Sequence, residues 1–418
     1  MHEHRLAWAE PARLARCGDA AALALALQAS RRDTLATFAA FEAALPGLVV
    51  AQHAELNPPL WELGHIGWFQ SWWLGRYPAC ADGMHADPDS PRRPPLRAGA
   101  DALYDSSRVP HATRWRLALP GAAATRADLQ AQLLQTLALL AAWPAADTSH
   151  YFFRLTLLHE DMHHEAALHR AQALGIRIAD PRWQSAALSA PSPTLRQPGG
   201  SFELGTQGSE GFGFDNEFGA HAVQLQPFEI DAQVLRWAEF LPFIEAGGYA
   251  DERWWTRAGS AWRQAGSALA PRYLRRYLQQ DRGTSPGWQS WRHGQWQPLA
   301  LHEPACHLTL HEAQAWCRWA GRRLPTEAEW ECAALAGHDS AGGFRWGDVW
   351  EWTATAFAPY PGFGVHPYRD YSAPWFDGRP VLRGASYMTQ PRLRHARYRN
   401  FFAAERNDVP AGFRSCAL

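Results

Sequence analysis

The sequence predicts an α+β protein, with an N-terminal four-helix bundle followed by a domain of short strands, turns and few helices. Three observations predict it. Residues 1–180 carry long apolar-periodic stretches bounded by helix stop signals. Residues 181–198 lose that periodicity and fill with Pro, Ser, Ala and Gln, which marks an interdomain connection. Residues 199–418 are rich in Gly and Trp, and only 235–246 and 310–320 read as secure helices.

The first bundle helix is the amphipathic run 20–45. Pro58 and Pro59 open the second, 60–76, because proline is pre-set for a first helical turn and its missing N–H is unneeded there. The third covers 128–143 and stops at Pro144. The fourth covers 150–174 and closes at Gly175, a residue suited to the left-handed C-terminal position. One long connection, 77–127, joins the second and third, a topology that helix bundles tolerate. No internal repeat is visible.

At 418 residues, 47% hydrophobic and 19% charged, the chain is long enough for two or three packed domains. A formal charge of −1 provides no one-signed field for nucleic acid or a membrane surface. Arg392, Arg394, Arg397 and Arg399 cluster, but aromatic residues interrupt them. The Ala/Leu-rich run 20–29 is too short to cross a bilayer. Glu3, Glu10 and Asp19 precede any apolar run, which excludes a secretory signal. Six cysteines without a C-x-x-C spacing fit a reduced, cytoplasmic setting. Most of the 22 tryptophans are expected to pack; some could offer indole faces to a quaternary ammonium group.

The chemistry concentrates in His159-Glu160-Asp161-Met162-His163-His164-Glu165. On a helix, residues four apart stack on one face, so His159 and His163 project together. Two neutral imidazoles so placed suit a divalent metal. His65, on the second bundle helix, is the candidate third ligand, since bundles build metal sites from facing helices. Three histidines with open positions opposite suit a catalytic metal rather than a closed structural one.

Two other readings stand beside this one. His159-Glu160-x-x-His163 matches the zinc-protease HExxH pattern, with Glu160 as general base. His169 falls where the longer pattern wants a third histidine, but Ala166 replaces the helix-breaking glycine. If the helix continues, His169 lies about 280° round from His159 at ~100° per residue and faces elsewhere. The histidines could also be packing residues of a helical motif without catalytic use.

Taken together, these residues resemble the ergothioneine-pathway sulfoxide synthases, which fuse a DinB-type four-helix bundle to a formylglycine-generating-enzyme-like domain. That family's W-x-x-G-H-x-x-W-F stretch is matched at 61–69 with His65, and its H-x-x-x-H-x-E stretch at His159, His163 and Glu165. The second domain is matched at 198–205 (PGGSFELG), 319–331 (WAGRRLPTEAEWE), 349–353 (VWEWT), 381–384 (VLRG) and 412–414 (GFR). Formylglycine-generating enzymes bind copper with two cysteines of a C-x-R-Y-R-C stretch. Here the corresponding stretch, 395–400, begins at His395 and ends at Asn400, so both thiolates are missing.

The resemblance implies Fe(II) on His65, His159 and His163, O2 as co-substrate, and hercynine as the acceptor of a chalcogen at imidazole C2. It implies a tyrosine as acid near the iron, with Tyr368 and Tyr371 of the 367–372 segment (PYRDYS) as candidates. It points to Met162, Asn400, Phe401 and Phe402 as substrate-binding positions, and to Glu165 as a buttress of the bundle or of a ligand histidine. Relatives that use γ-glutamylcysteine read Asn-Trp-Asp where this chain has Asn400-Phe401-Phe402, and family members often read HEQQH where this chain has Met162. Residues 57–65 and 162–165 look more like selenoneine synthases, which implies a selenosugar donor; cysteine or another thiol is the alternative.

Overall fold

The computed structural model describes residues 2–144, 150–189, 194–208, 211–277, 287–337 and 343–418, with side chains from Glu10 onward. The N-terminal part is helical: α1 (His2–Cys17), α2 (Ala20–Ala44), α3 (Pro59–Trp73), the short α4 (Ala100–Tyr104), α5 (Ala122–Ala141) and α6 (Tyr151–Leu174). Asp19 starts α2 by accepting a hydrogen bond from the Ala22 amide at 2.8 Å. Gly175, at φ 70°, ends α6. α2 packs on α6, and α3 packs on both α5 and α6. Nearly every residue of α3 is buried, Glu62, His65 and Gln70 included. A helix buried on all faces belongs at a bundle centre, so its polar side chains must find partners there.

The helix α5 starts at Ala122, six residues before its expected start at 128. Residues 122–127 (AAATRA) lack the large apolar spacing from which its start was read. The connection between α3 and α5 is also less bare than expected, because α4 lies within it.

The C-terminal part contains α7 (Trp237–Glu245), α8 (Arg257–Gly266), α9 (Leu310–Trp319) and α10 (Glu327–Ala336) among short strands. Two of these helices were not anticipated. In α8 the apolar spacing of Ala258, Ala261, Trp262 and Ala265 is mostly alanine, and Trp262, packed against Trp255, is its one large apolar residue. In α10 the sequence did contain the signal: the Thr326 hydroxyl accepts from the Glu329 amide and the Glu329 carboxylate accepts from the Thr326 amide, a reciprocal cap.

Thirteen strands are described: β1 (Leu195–Gln197), β2 (Gly200–Leu204), β3 (His221–Leu225), β4 (Phe228–Ile230), β5 (Leu274–Tyr277), β6 (Gly287–Arg292), β7 (Gln295–Pro298), β8 (Arg322–Arg323), β9 (Trp350–Ala356), β10 (Pro380–Gly384), β11 (Asn400–Phe401), β12 (Ala411–Gly412) and β13 (Cys416–Ala417). One sheet runs β1-β4-β13-β8 and another β11-β10-β9-β12, with β12 parallel to β9. In the second, Leu382 faces Trp352 and Arg383 faces Glu351 across the ladder. Buried arginines tie the elements together. Arg399 bonds Glu327 at 2.7 Å, and Arg414 bonds Glu351 at 2.5 Å. Such charges are tolerated inside only as pairs.

The two parts dock through α6 and α1. Arg392 bonds Asp161 at 2.8 Å, and Arg16 bonds Glu217 at 2.7 Å. In the described part of the connection between α6 and β1, Trp183 is buried with Phe41, Leu168 and Met388. Among the described residues, no helix is long and apolar enough to cross a membrane.

Candidate metal centre

α3 and α6 lie side by side, and His65, His159 and His163 meet between them. Each offers a ligand atom, and these atoms all lie within 4.8 Å of one another. The ring centroids are 4.5–5.2 Å apart: 5.2 Å for His65–His159, 4.9 Å for His65–His163 and 4.5 Å for His159–His163. The pairing of His159 with His163 follows from one helical turn; His65 is brought in by packing.

Local contacts set which nitrogen each ring presents. His65 Nδ1 lies 2.8 Å from the Tyr104 carbonyl, which can only accept, so Nδ1 carries the proton and Nε2 keeps its lone pair. Gly64 makes this possible: a Cβ there would fall 2.3 Å from the Tyr104 ring, so only glycine lets α4 approach α3 this closely. His163 Nδ1 donates to Glu62 at 2.9 Å, and Glu62 is held in turn by Arg170. Nε2 of His163 is therefore the free nitrogen as well. His159 lies flat on Phe69, centroids 3.5 Å apart, and its buried Nδ1 has no hydrogen-bond partner among the described residues.

Burial holds His65 down to about 3, with the neighbouring His163 adding to it. Burial, then His163 and His65, hold His159 well below the usual histidine range. Both rings are thus neutral at pH 7, the form that binds a metal. For Glu62, burial alone would raise the carboxyl, but the Arg170 charge and the His163 hydrogen bond outweigh it and hold it at about 2. A buried anion next to a ring N–H makes that ring a better donor at its other nitrogen.

Tyr368 lies edge-on to His159 and to Phe69, at 6.1 and 4.9 Å between centroids. Its hydroxyl makes no hydrogen bond among the described residues, and burial keeps it protonated. Tyr371 differs: its hydroxyl donates to Tyr398 at 3.0 Å, and Tyr398 donates to the Met162 sulfur at 3.4 Å. Met162 is thereby placed on the inner side of α6. Asn400 uses its side-chain oxygen to accept from the Phe401 amide at 2.8 Å. Phe401 stacks on Phe357 at 4.2 Å, and Arg406 covers Phe402 at 5.0 Å.

Comparison with known proteins places this arrangement. The chain is 33% identical over 414 residues to the hercynine oxygenase of Mycolicibacterium smegmatis, covering 86% of this chain and 90% of that one. It is 31% identical to the hercynine oxygenase of Mycobacterium tuberculosis, with the same coverage of both chains. The chain belongs to the hercynine oxygenase family. Residues 184–348 match the sulfatase-modifying factor enzyme 1-like domain. The formylglycine-generating enzyme of Streptomyces coelicolor is 30% identical over 251 residues, covering 46% of this chain and 78% of that one.

In this hercynine oxygenase family member the remaining motif residues are occupied elsewhere. Glu160 is locked to buried Arg31 at 2.8 Å, so it is not a free base beside the histidines. α6 continues unbroken past His169, whose ring lies 3.6 Å from Glu165 and outside the histidine cluster. Glu165 does not buttress a ligand histidine. Its carboxylate accepts from Trp350, Ser386 and Thr389, at 2.8, 2.8 and 2.7 Å, and so fastens α6 to the second domain. Sequence reading missed Glu62 and Tyr398. Glu62 had a signal, an acid three residues before His65 inside an otherwise apolar helix; Tyr398 had none beyond its place in 395–400.

Proposed function

We propose that this protein joins a chalcogen to C2 of the hercynine imidazole in an O2-dependent reaction, with Fe(II) held by His65, His159 and His163 and a selenosugar as donor. The observation that carries the reading is the meeting of three imidazoles from two helices, with ligand atoms all within 4.8 Å of one another. Two of them donate Nδ1–H hydrogen bonds to the Tyr104 carbonyl and the Glu62 carboxylate, leaving Nε2 lone pairs for a cation. Bound there, ferrous iron would supply O2 activation and a shared point of attachment for both substrates.

The chain's own residues have separable tasks. Glu62, Tyr104 and Phe69 fix the ring orientations. Tyr368, with a hydroxyl committed to no other group, is the proton donor beside the cluster. Aromatic faces such as those of Phe69 and Tyr368 suit a trimethylammonium group that cannot donate ordinary hydrogen bonds. Met162, Phe401 and Phe402 carry no charge, and Phe402 occupies the position where an acid would meet the ammonium of γ-glutamylcysteine. An unpaired donor charge buried there is costly, so a neutral sugar fits better.

The test is to load the anaerobic protein with ferrous iron and admit O2 with hercynine and, in separate reactions, selenoglucose, cysteine or γ-glutamylcysteine. Product masses identify the donor. A selenium adduct is expected. Product from cysteine alone replaces the donor, product from γ-glutamylcysteine alone overturns the reading of Phe402, and no product from any donor overturns the activity.

A further inference from the structure

A cavity lies where α6, the connection around Trp183, α7 and the β5–β6 ribbon come together. It is separate from the histidine cluster, none of whose members line it. Gln172, on its wall, is nine residues beyond His163 on α6, or roughly 14 Å along the axis at ~1.5 Å per residue.

Three independent features mark it as built rather than incidental. The first is electrostatic. No carboxylate lines it, while Arg272, Arg292, His293 and His307 do. Arg292 is neutralised by Glu303. Arg272 has only the Asn407 side-chain oxygen, at 3.1 Å, and no carboxylate partner among the described residues. The second is unmet hydrogen bonding. The buried Tyr273 hydroxyl and His307 Nδ1 have no well-aligned partner among the described residues, and His307 is only 7% exposed. Buried polar groups without partners are few in native proteins and call for an explanation. Arg272 sits over the Tyr273 ring, 5.0 Å from its centroid, so the guanidinium and the hydroxyl are close neighbours.

The third feature is backbone strain. Tyr273, His293 and His307 have φ of 64°, 49° and 63°. They are three of the six non-glycine residues with positive φ among the described residues, and all three line this one cavity; His293, with Gly294 at 78°, forms the two-residue turn between β6 and β7, so Tyr273 and His307 are the two that no hairpin accounts for. Such conformations are unfavourable for large side chains and concentrate where a ligand is held. Between the polar groups, Trp237 and Trp291 add flat apolar wall.

We propose that this cavity binds a small carboxylate carried on a flat, apolar ring, with Arg272 and the Tyr273 hydroxyl meeting the carboxylate and Trp237 and Trp291 lining the space for the ring. A cation would find no counter-charge on the wall. An inorganic anion would leave the indole faces unused. The occupant bridges α6 and the second domain, so its binding raises the unfolding temperature of the whole chain. The proposal does not depend on the reading of the histidine cluster.

The test is calorimetry on the full chain with three probes: indole-3-acetate, tryptamine (a similar ring with the opposite charge) and inorganic phosphate. Saturable binding of indole-3-acetate alone is expected, with a rise in melting temperature. Arg272→Gln weakens it about tenfold or more, the loss of a charge-assisted hydrogen bond. Tyr273→Phe weakens it several-fold while leaving the unliganded melting temperature unchanged or higher, since only an unpartnered hydroxyl is removed. His65→Ala leaves it unaltered. The proposal is overturned if indole-3-acetate does not bind, if tryptamine or phosphate binds as well, if Tyr273→Phe binds like the parent, or if His65→Ala abolishes binding.

Discussion

His163 Nδ1 donates to the Glu62 carboxylate at 2.9 Å, which makes the acid three residues before His65 a support for the histidine opposite. Glu62 is held at about 2 and is therefore ionised at pH 7. In Glu62→Gln the amide can still accept, but the charge is lost and Arg170 remains buried without it. Ferrous or cobaltous affinity should fall about 10–100-fold, the usual cost of losing a group that supports a ligand histidine. Stability should fall by about 3 kcal/mol, because a buried charge loses its partner. Anaerobic cobalt titration and urea unfolding separate the two effects. Unchanged metal affinity would reduce Glu62 to a structural residue.

The three ligand candidates are tested directly. His65→Ala, His159→Ala and His163→Ala should each take ferrous binding from one ion per chain to none, measured by metal analysis after anaerobic loading. Two imidazoles do not replace a three-point site. Full turnover by exhaustively chelated protein would reject the metal role.

His164 sets part of the acid stability of the metal-free protein. Its Nδ1 accepts from Gln390 at 3.2 Å and its Nε2 bonds Thr37 at 2.9 Å, so the neutral ring is fully used. Burial holds it down to about 4, with Arg392 and Arg182 adding to the effect and Asp33 opposing it. The unfolded ring titrates near 6.5, so between about 6.5 and 4 the unfolded state binds more protons. Stability therefore falls as pH drops through that window, by up to ~1.4 kcal/mol per pH unit from this residue. His164→Gln should flatten the slope of unfolding free energy between pH 7 and 5 by about 1 kcal/mol per unit. An unaltered slope would contradict the assignment.

The histidine pair on α6 was legible because helical spacing alone puts His159 and His163 together. His65 was legible as a candidate from its place on a facing bundle helix, and the resemblance strengthened it, but its meeting with the pair depends on α3 packing against α6. The supporting contacts were not legible. Tyr104 reaches His65 through a main-chain carbonyl, delivered by a five-residue helix across Gly64, and no side-chain pattern encodes that. In the N-terminal part α2, α3, α5 and α6 were legible from apolar spacing and stop signals, whereas α1, which carries Pro11 inside it, was not. The helix α8 is short and its apolar spacing is mostly alanine, and the Thr326–Glu329 cap that starts α10 lies within the stretch 319–331 that carries the family resemblance.

Glu165 illustrates how a correct residue can carry the wrong task. It was expected to buttress the bundle or a ligand histidine, but it faces the second domain and gathers three donors there. Glu165→Ala leaves the Trp350 indole N–H without an acceptor and leaves the Ser386 and Thr389 hydroxyls, 3.1 Å apart, only each other. A loss of about 3 kcal/mol is expected, with faster hydrogen exchange in 386–390, while ferrous stoichiometry stays at one per chain. Loss of the metal instead would make Glu165 a support of the histidine cluster.

The two candidate tyrosines make opposite predictions because their hydroxyls are differently engaged. Tyr368 has no partner to lose, so Tyr368→Phe should leave the melting temperature unchanged and lower turnover about 100-fold or more, the scale of a lost general acid. Tyr371→Phe gives up the hydrogen bond to Tyr398 and should cost about 1 kcal/mol of stability. Its turnover should fall far less, since Tyr398 keeps its bond to Met162. Parallel melting curves and single-turnover rates on both variants decide between them. If Tyr371→Phe stops the reaction while Tyr368→Phe does not, the proton comes instead through the Tyr371–Tyr398 hydroxyl pair.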